Sequence, residues 1–227
     1  MSQNPYEPTI QTSTVESKQE YRYKSLKFIS TAIAIGLAVF CLAKILLTVL
    51  VTTYYPEWNP IDTQPSAFIP VFISAAVIVI SFIWLAVFVT IFTYRANANL
   101  RSMGYNDRLH PPEAACVFWF IPIMNLFKPY QEMVDVYSES RRHYRDDPNQ
   151  EPNTAVIGTW WGFWLGGGFL DRLTKLLFRQ DLNTELYIVL SCVSTFSLIV
   201  AAVFLVNVVF SIRDGQEKMN GEIVDVF

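Results

Sequence analysis

Residues 68–94 form a run of 27 residues without one charged side chain, and residues 186–212 form a second run of the same length. A helix of about 20 apolar residues, rising about 1.5 Å per residue, covers the roughly 30 Å hydrocarbon core of a bilayer, so each run can cross with tilt to spare. Soluble cores do not need apolar stretches of this length. Charged residues make up 16% of the chain, where a soluble domain carries about a quarter, and 52% of residues are hydrophobic. The polar residues collect in blocks between and around the apolar runs, and none of these blocks is long enough for a separate soluble domain.

This pattern predicts an all-α integral membrane protein. Spans are expected at residues 28–53, 68–94, 154–170 and 186–212, within one transmembrane domain covering 26–212. Residues 1–25 hold too little apolar surface to fold alone and read as a disordered tail, and residues 213–227 read as a second polar tail. The loop between the first two spans carries no Lys or Arg and belongs outside. Lys18, Arg22, Lys24 and Lys27 before the first span, and Arg95, Arg101 and Arg108 after the second, belong in the cytoplasm.

The apolar segment 114–127 is only 14 residues long and has Pro122 at its centre. Two readings are open, a re-entrant dip and a full crossing. Re-entry places thirteen Lys and Arg inside against three outside, whereas crossing gives ten against six. The positive-inside bias favours re-entry with both termini cytoplasmic. After it, residues 129–144 fit an amphipathic interfacial helix. Tyr130, Met133, Val134, Tyr137 and Tyr144 fall near one face, while Gln131, Glu132, Asp135, Ser138, Glu139 and Arg142 take the other. Pro129 suits the first turn of that helix.

Gly158, Gly162 and Gly166 recur every fourth residue and would line one stripe of a helix. In lipid such a stripe lets a neighbouring backbone approach, either within the chain or in a second copy. Lys44 is the one charge inside the 28–53 run. It lies roughly 5 Å from the bilayer centre, and an unpaired Lys there costs about 2.5 to 3.5 kcal/mol. Asp171, at the outer end of its helix, is the first candidate partner, with Glu57 and Glu185 behind it. A bundle-stabilising ion pair, a snorkelling Lys and a transport role all remain open for Lys44.

Cys41, Cys116 and Cys192 lie far apart within apolar segments and read as small buried hydrophobes. His110 and His143 are the only histidines, and no metal-ligand spacing, nucleophile elbow or phosphate-cradling loop occurs. The expectation is therefore a protein that is not an enzyme and has no cofactor, no metal and no nucleic-acid partner. Its expected partners are the lipid bilayer and either another membrane protein or a second copy of itself.

The stretch Tyr94-Arg-Ala-Asn-Ala-Asn-Leu-Arg-Ser-Met-Gly, followed by Trp119-Phe-Ile-Pro-Ile-Met-Asn-Leu-Phe-Lys-Pro-Tyr-Gln and the Trp160-Trp161 pair, resembles the DUF4328 family of uncharacterised bacterial multi-pass membrane proteins. The resemblance covers about residues 94–164, and one departure is Pro111-Pro112-Glu113-Ala114 in place of a Pro-Gly-Trp-like approach to the short segment. It implies a bacterial inner-membrane protein and brings no activity or ligand with it. The same residues have a physical reading. Pro122 frees a helical carbonyl that must find a donor in lipid, and Asn125, Asn97 and Asn99 can supply one. Asn97, Asn99, Trp119, Pro122, Asn125, Pro129 and Tyr130 are thus expected to form a polar joint around a Pro-kinked segment. The leading function is a non-catalytic scaffold or regulatory subunit. The alternative is a small-solute or ion transporter component using Lys44 or the Pro122 kink.

Overall fold

The computed structural model describes residues 21–54, 69–105, 109–142, 153–178 and 184–226, and all regular structure among them is helical. Helix α1 spans Lys27–Tyr54, α2 Ile69–Ser102, α3 Pro112–Val117, α4 Lys128–Ser140, α5 Ala155–Phe178 and α6 Thr184–Val226, with a 3-10 turn at Met124–Leu126. Helices α1, α2 and α6 are long and apolar enough to cross a membrane. Only 28%, 22% and 39% of their apolar windows are buried within the chain, so most of that apolar surface faces outward, which lipid accepts and water would not. This is an integral membrane protein.

The long helices alternate in direction. Residues 21–27, the end of α2 and the end of α6 meet at one pole, and the end of α1, the second half of α5 and the start of α6 meet at the other. Helix α5 packs most extensively on α6, and α1 lies against α2 and α6. Where α1 meets α2, the Trp84 indole donates to the Ala32 carbonyl at 3.1 Å, and Gly36 leaves the room for that ring. Helix α2 stops at a Schellman turn: Gly104 takes the left-handed conformation at φ 93°, Gly104 N–H donates to Arg101 O and Tyr105 N–H to Leu100 O.

Three expectations about extent are corrected. Residues 21–25 are not a free tail, because Lys24 is hydrogen-bonded through both its N–H and its C=O to the Asn99 side chain, and Leu26 is fully buried. Residues 213–226 are not an irregular polar tail either. They continue α6, roughly 65 Å long in all, and Gln216 and Met219 are buried there. Finally, no helix runs through 114–127 for Pro122 to kink. Helix α3 ends at Val117 before Pro122 is reached, and the chain passes through turns to the 3-10 turn. Pro111 and Pro112 set the start of α3, where fixed φ and a missing N–H are tolerated.

The glycine stripe does not pack within the chain. A Cβ at Gly162 or Gly166 would meet nothing within 4 Å, and at Gly158 only the Tyr130 hydroxyl at 3.9 Å. The close approach of α5 to α6 is instead made at Gly167, where a Cβ would lie 3.0 Å from Leu198. Ser194 donates to Gly167 O at 3.0 Å and Ser197 to Phe163 O at 2.9 Å. Small side chains on α6 and one glycine on α5 bring the two backbones together. Among the cysteines, Cys192 faces outward rather than into the core, and Cys41 and Cys116 are half-buried.

Candidate functional site

At the pole formed by the end of α1 and the second half of α5, Lys44 Nζ donates to Asp171 Oδ1 at 2.7 Å, and Lys175 Nζ donates to Asp171 Oδ2 at 2.6 Å. The Lys44 residue is 9% exposed. Both carboxylate oxygens are thus engaged by a cation, one from α1 and one a turn further along α5. Beside them Thr48 and Thr195 share a hydrogen bond at 2.8 Å between α1 and α6. Of the other candidate partners, Glu185 lies in the first turn of α6, and Glu57 lies outside the described residues.

The opposite pole holds a network of neutral polar side chains. Asn99 is buried in the last turns of α2, donates through Nδ2 to Lys24 O at 2.9 Å and to Gln216 Oε1 at 3.0 Å, and accepts from Lys24 N–H. Gln216 of α6 donates in turn to Ala96 O at 2.9 Å and to Ser140 Oγ at 3.0 Å. Ser140 closes the chain of bonds by donating to Val136 O. One junction therefore ties the residues before α1 to α2, α4 and α6. Gly215 makes the α4–α6 crossing possible, since a Cβ there would fall 2.1 Å from the Ser140 carbonyl oxygen.

Asn97 serves a second junction. It donates to His110 O at 3.0 Å and accepts from Arg101 Nε, while Arg101 also donates to Leu109 O, so the end of α2 holds the segment leading into α3. His110 stands edge-on to Phe118. Its Nδ1 lies against Oε1 of Glu132, which is fully buried although helical periodicity puts it on the solvated face of α4. Burial pushes the Glu132 carboxyl above its usual range; His110 pulls it back and Asp135 adds to the rise.

The expected joint is thus divided. Asn97 and Asn99 are in it. Pro122 and Asn125 are not, since Asn125 bonds back to Ile121 O through its own backbone N–H and Pro122 is exposed in the turns. Pro129 is buried at the start of α4, and Tyr130 packs on the core beside Gly158. Trp119 stands edge-on to Trp161, whose indole donates to Leu126 O at 3.1 Å and anchors the turn segment to α5. Sequence patterning alone does not single out Gln216, Ser140, Gly215, His110 or Glu132 as site residues. The cue available for Gln216 was its place between Ile212 and Met219 at helical spacing, which marks it as inward-facing.

These Asn residues, the Trp119 turn segment and the Trp160-Trp161 pair lie in one stretch, and the family model described as a domain of unknown function, DUF4328, matches residues 64–214. The chain belongs to this family. The DUF4328 region takes in α2 to α5 and most of α6, including Asn97, Asn99, Glu132 and Asp171; α1 with Lys44 precedes it. No curated protein and no solved structure matches the chain significantly.

Proposed function

We propose that this DUF4328 protein is a four-span protein of the bacterial inner membrane, with α5 as its fourth span and both termini cytoplasmic, that acts as a non-catalytic scaffold or regulatory subunit. One observation carries this reading. The polar side chains of the joint are spent on holding chain segments together, and the segment that joint positions leaves Phe120, Ile123 and Phe127 exposed at 69%, 76% and 61%. A surface of this kind, set beside the bilayer on a fixed frame, suits contact with lipid and with a membrane-protein partner. A small-solute or ion transporter component is the second reading, favoured by the Lys44–Asp171 pair within the bundle.

A photoreactive side chain in place of Ile123, activated in intact cells, tests the first reading. One protein adduct of defined mass, identified by sequencing, supports a scaffold; adducts to lipid alone remove the partner from that face. Proteoliposomes test the second. Ion or solute flux that disappears with Lys44→Met would replace the scaffold with a transporter.

A further inference from the structure

Glu132 is fully buried in the second turn of α4, and apart from its contact with His110 its carboxylate oxygens have no hydrogen-bond partner among the described residues. A buried carboxylate so poorly provided for destabilises its surroundings unless its charge is cancelled. His110 is the group placed to do so: its Nδ1 is buried against Oε1, while the ring as a whole is 41% exposed and so open to exchange with solvent. No third His, Cys, Asp or Glu completes a metal-holding group among the described residues.

We propose that His110 and Glu132 form a proton-binding site, and that the proton it takes up holds α4 docked against α2 and α6. With the proton bound, the pair is neutral as a whole, whether it resides on the imidazole or on the carboxyl. Without it, one negative charge is left buried with at most one hydrogen bond. The other charged groups around the site are few. On α4 itself they are Lys128, which lies over the Phe118 ring, and Asp135; α3 contributes Glu113 in its first turn and Cys116. From α2 comes Arg101, bound to Asn97 and Leu109 O next to His110. On α6, Arg213 is paired with Asp214, and Glu217 with Lys27 and Ser25. On α5 the charged residues lie in its second half, with Asp171.

The sign follows from linkage. Docked, the carboxyl holds a proton more tightly than an ordinary Glu; undocked, the pair keeps its one proton on the solvated ring and gives it up only through the ordinary imidazole range, about pH 6.5. Docking is at full strength below that range and is lost as pH rises through the raised value, the opening equilibrium growing by up to about tenfold per pH unit between the two. Undocking frees Ser140 from Gln216 and releases the exposed apolar turns that precede α4. The inference concerns α4 alone and holds for a scaffold and a transporter alike.

Thiol labelling of the full chain in nanodiscs tests it, with Cys41, Cys116 and Cys192 replaced by Ser. The Val136→Cys variant reports opening, because Val136 is buried on α4; the Gln131→Cys variant, exposed on the same helix, corrects for the reagent's own pH dependence. The corrected rate should climb with pH above about pH 6.5, by up to about tenfold per pH unit, and become flat there when Glu132→Gln is added. A flat profile with Glu132 intact, or an unchanged rise in Glu132→Gln, overturns the proposal. Should Glu132→Gln fail to fold, His110→Gln is read instead. Without the imidazole to keep the proton in the open state, the rise starts in the ordinary Glu range, about pH 4.3, and a rise whose start has not moved overturns the proposal.

Discussion

Asp171 and Glu132 are both acids on helices of the same bundle, and their surroundings differ in kind. Asp171 meets two lysines, one through each oxygen, whereas Glu132 meets one histidine and its oxygens find no other hydrogen-bond partner among the described residues. The contrast extends to the two poles. The Lys44 pole cancels charge with charge; the other is held by amides, a hydroxyl and backbone carbonyls. With a cation against each oxygen, the Asp171 carboxylate is a fixed fastening. A His–Glu pair titrates, which makes its pole the one that responds to conditions.

Removing a charge from the first pole should have the largest effect. Asp171→Ala leaves Lys44 buried without its partner and should cost about 3 to 5 kcal/mol of bundle stability in detergent-denaturant titration. Adding Lys44→Met should recover most of that loss, since a buried ion pair often gives little over apolar packing. If the double variant stays as unstable as Asp171→Ala, the pair does more than cancel charge. Gly215→Ala comes next. Its methyl would fall against the Ser140 carbonyl, so α4 must shift, at about 2 to 3 kcal/mol, read as faster labelling of the Val136→Cys variant with the spans intact. Gln216→Leu should cost about 2 kcal/mol, because Asn99 loses an acceptor and the Ala96 carbonyl a donor. A loss larger than that of Asp171→Ala would reverse the ranking of the poles.

Much of the fold is legible because lipid is a demanding solvent. Uncharged runs of 27 residues have few alternatives to crossing, and a lone lysine in such a run draws attention to acids at matching depth. What hydropathy cannot convey is how polar segments pack on one another. Gln216, Ser140 and Asn99 lie 76 and 117 residues apart along their hydrogen bonds, and residues 213–226 look like a solvated tail until α4 is laid across them. Helical spacing puts Glu132 on the polar face of α4 for the same reason. Periodicity ranks the faces of a helix, but α4 is packed on more than one side, by α2, α3, α5 and α6, so its second face is buried as well. Pro122 misled in the opposite way, since a proline kinks a helix only where flanking residues sustain one.

The smallest effects are expected on the glycines of α5, and they separate two uses of the same residue. Gly167 abuts Leu198 and Ser197, so Gly167→Ala forces α6 to give by a few tenths of an ångström and should cost about 1 kcal/mol. Gly162 and Gly166 face open space in the single chain. There Gly→Ala removes backbone freedom without creating a clash and should stabilise α5 by up to about 1 kcal/mol. That gain holds only for an isolated chain. If the outward stripe packs against a second copy, Gly162→Leu would block the approach and convert an oligomer to a monomer, which light scattering in detergent reads directly. Unchanged mass with a slightly firmer helix would leave Gly167 as the glycine that packing needs, and the four-residue spacing of its neighbours as a stripe facing only lipid.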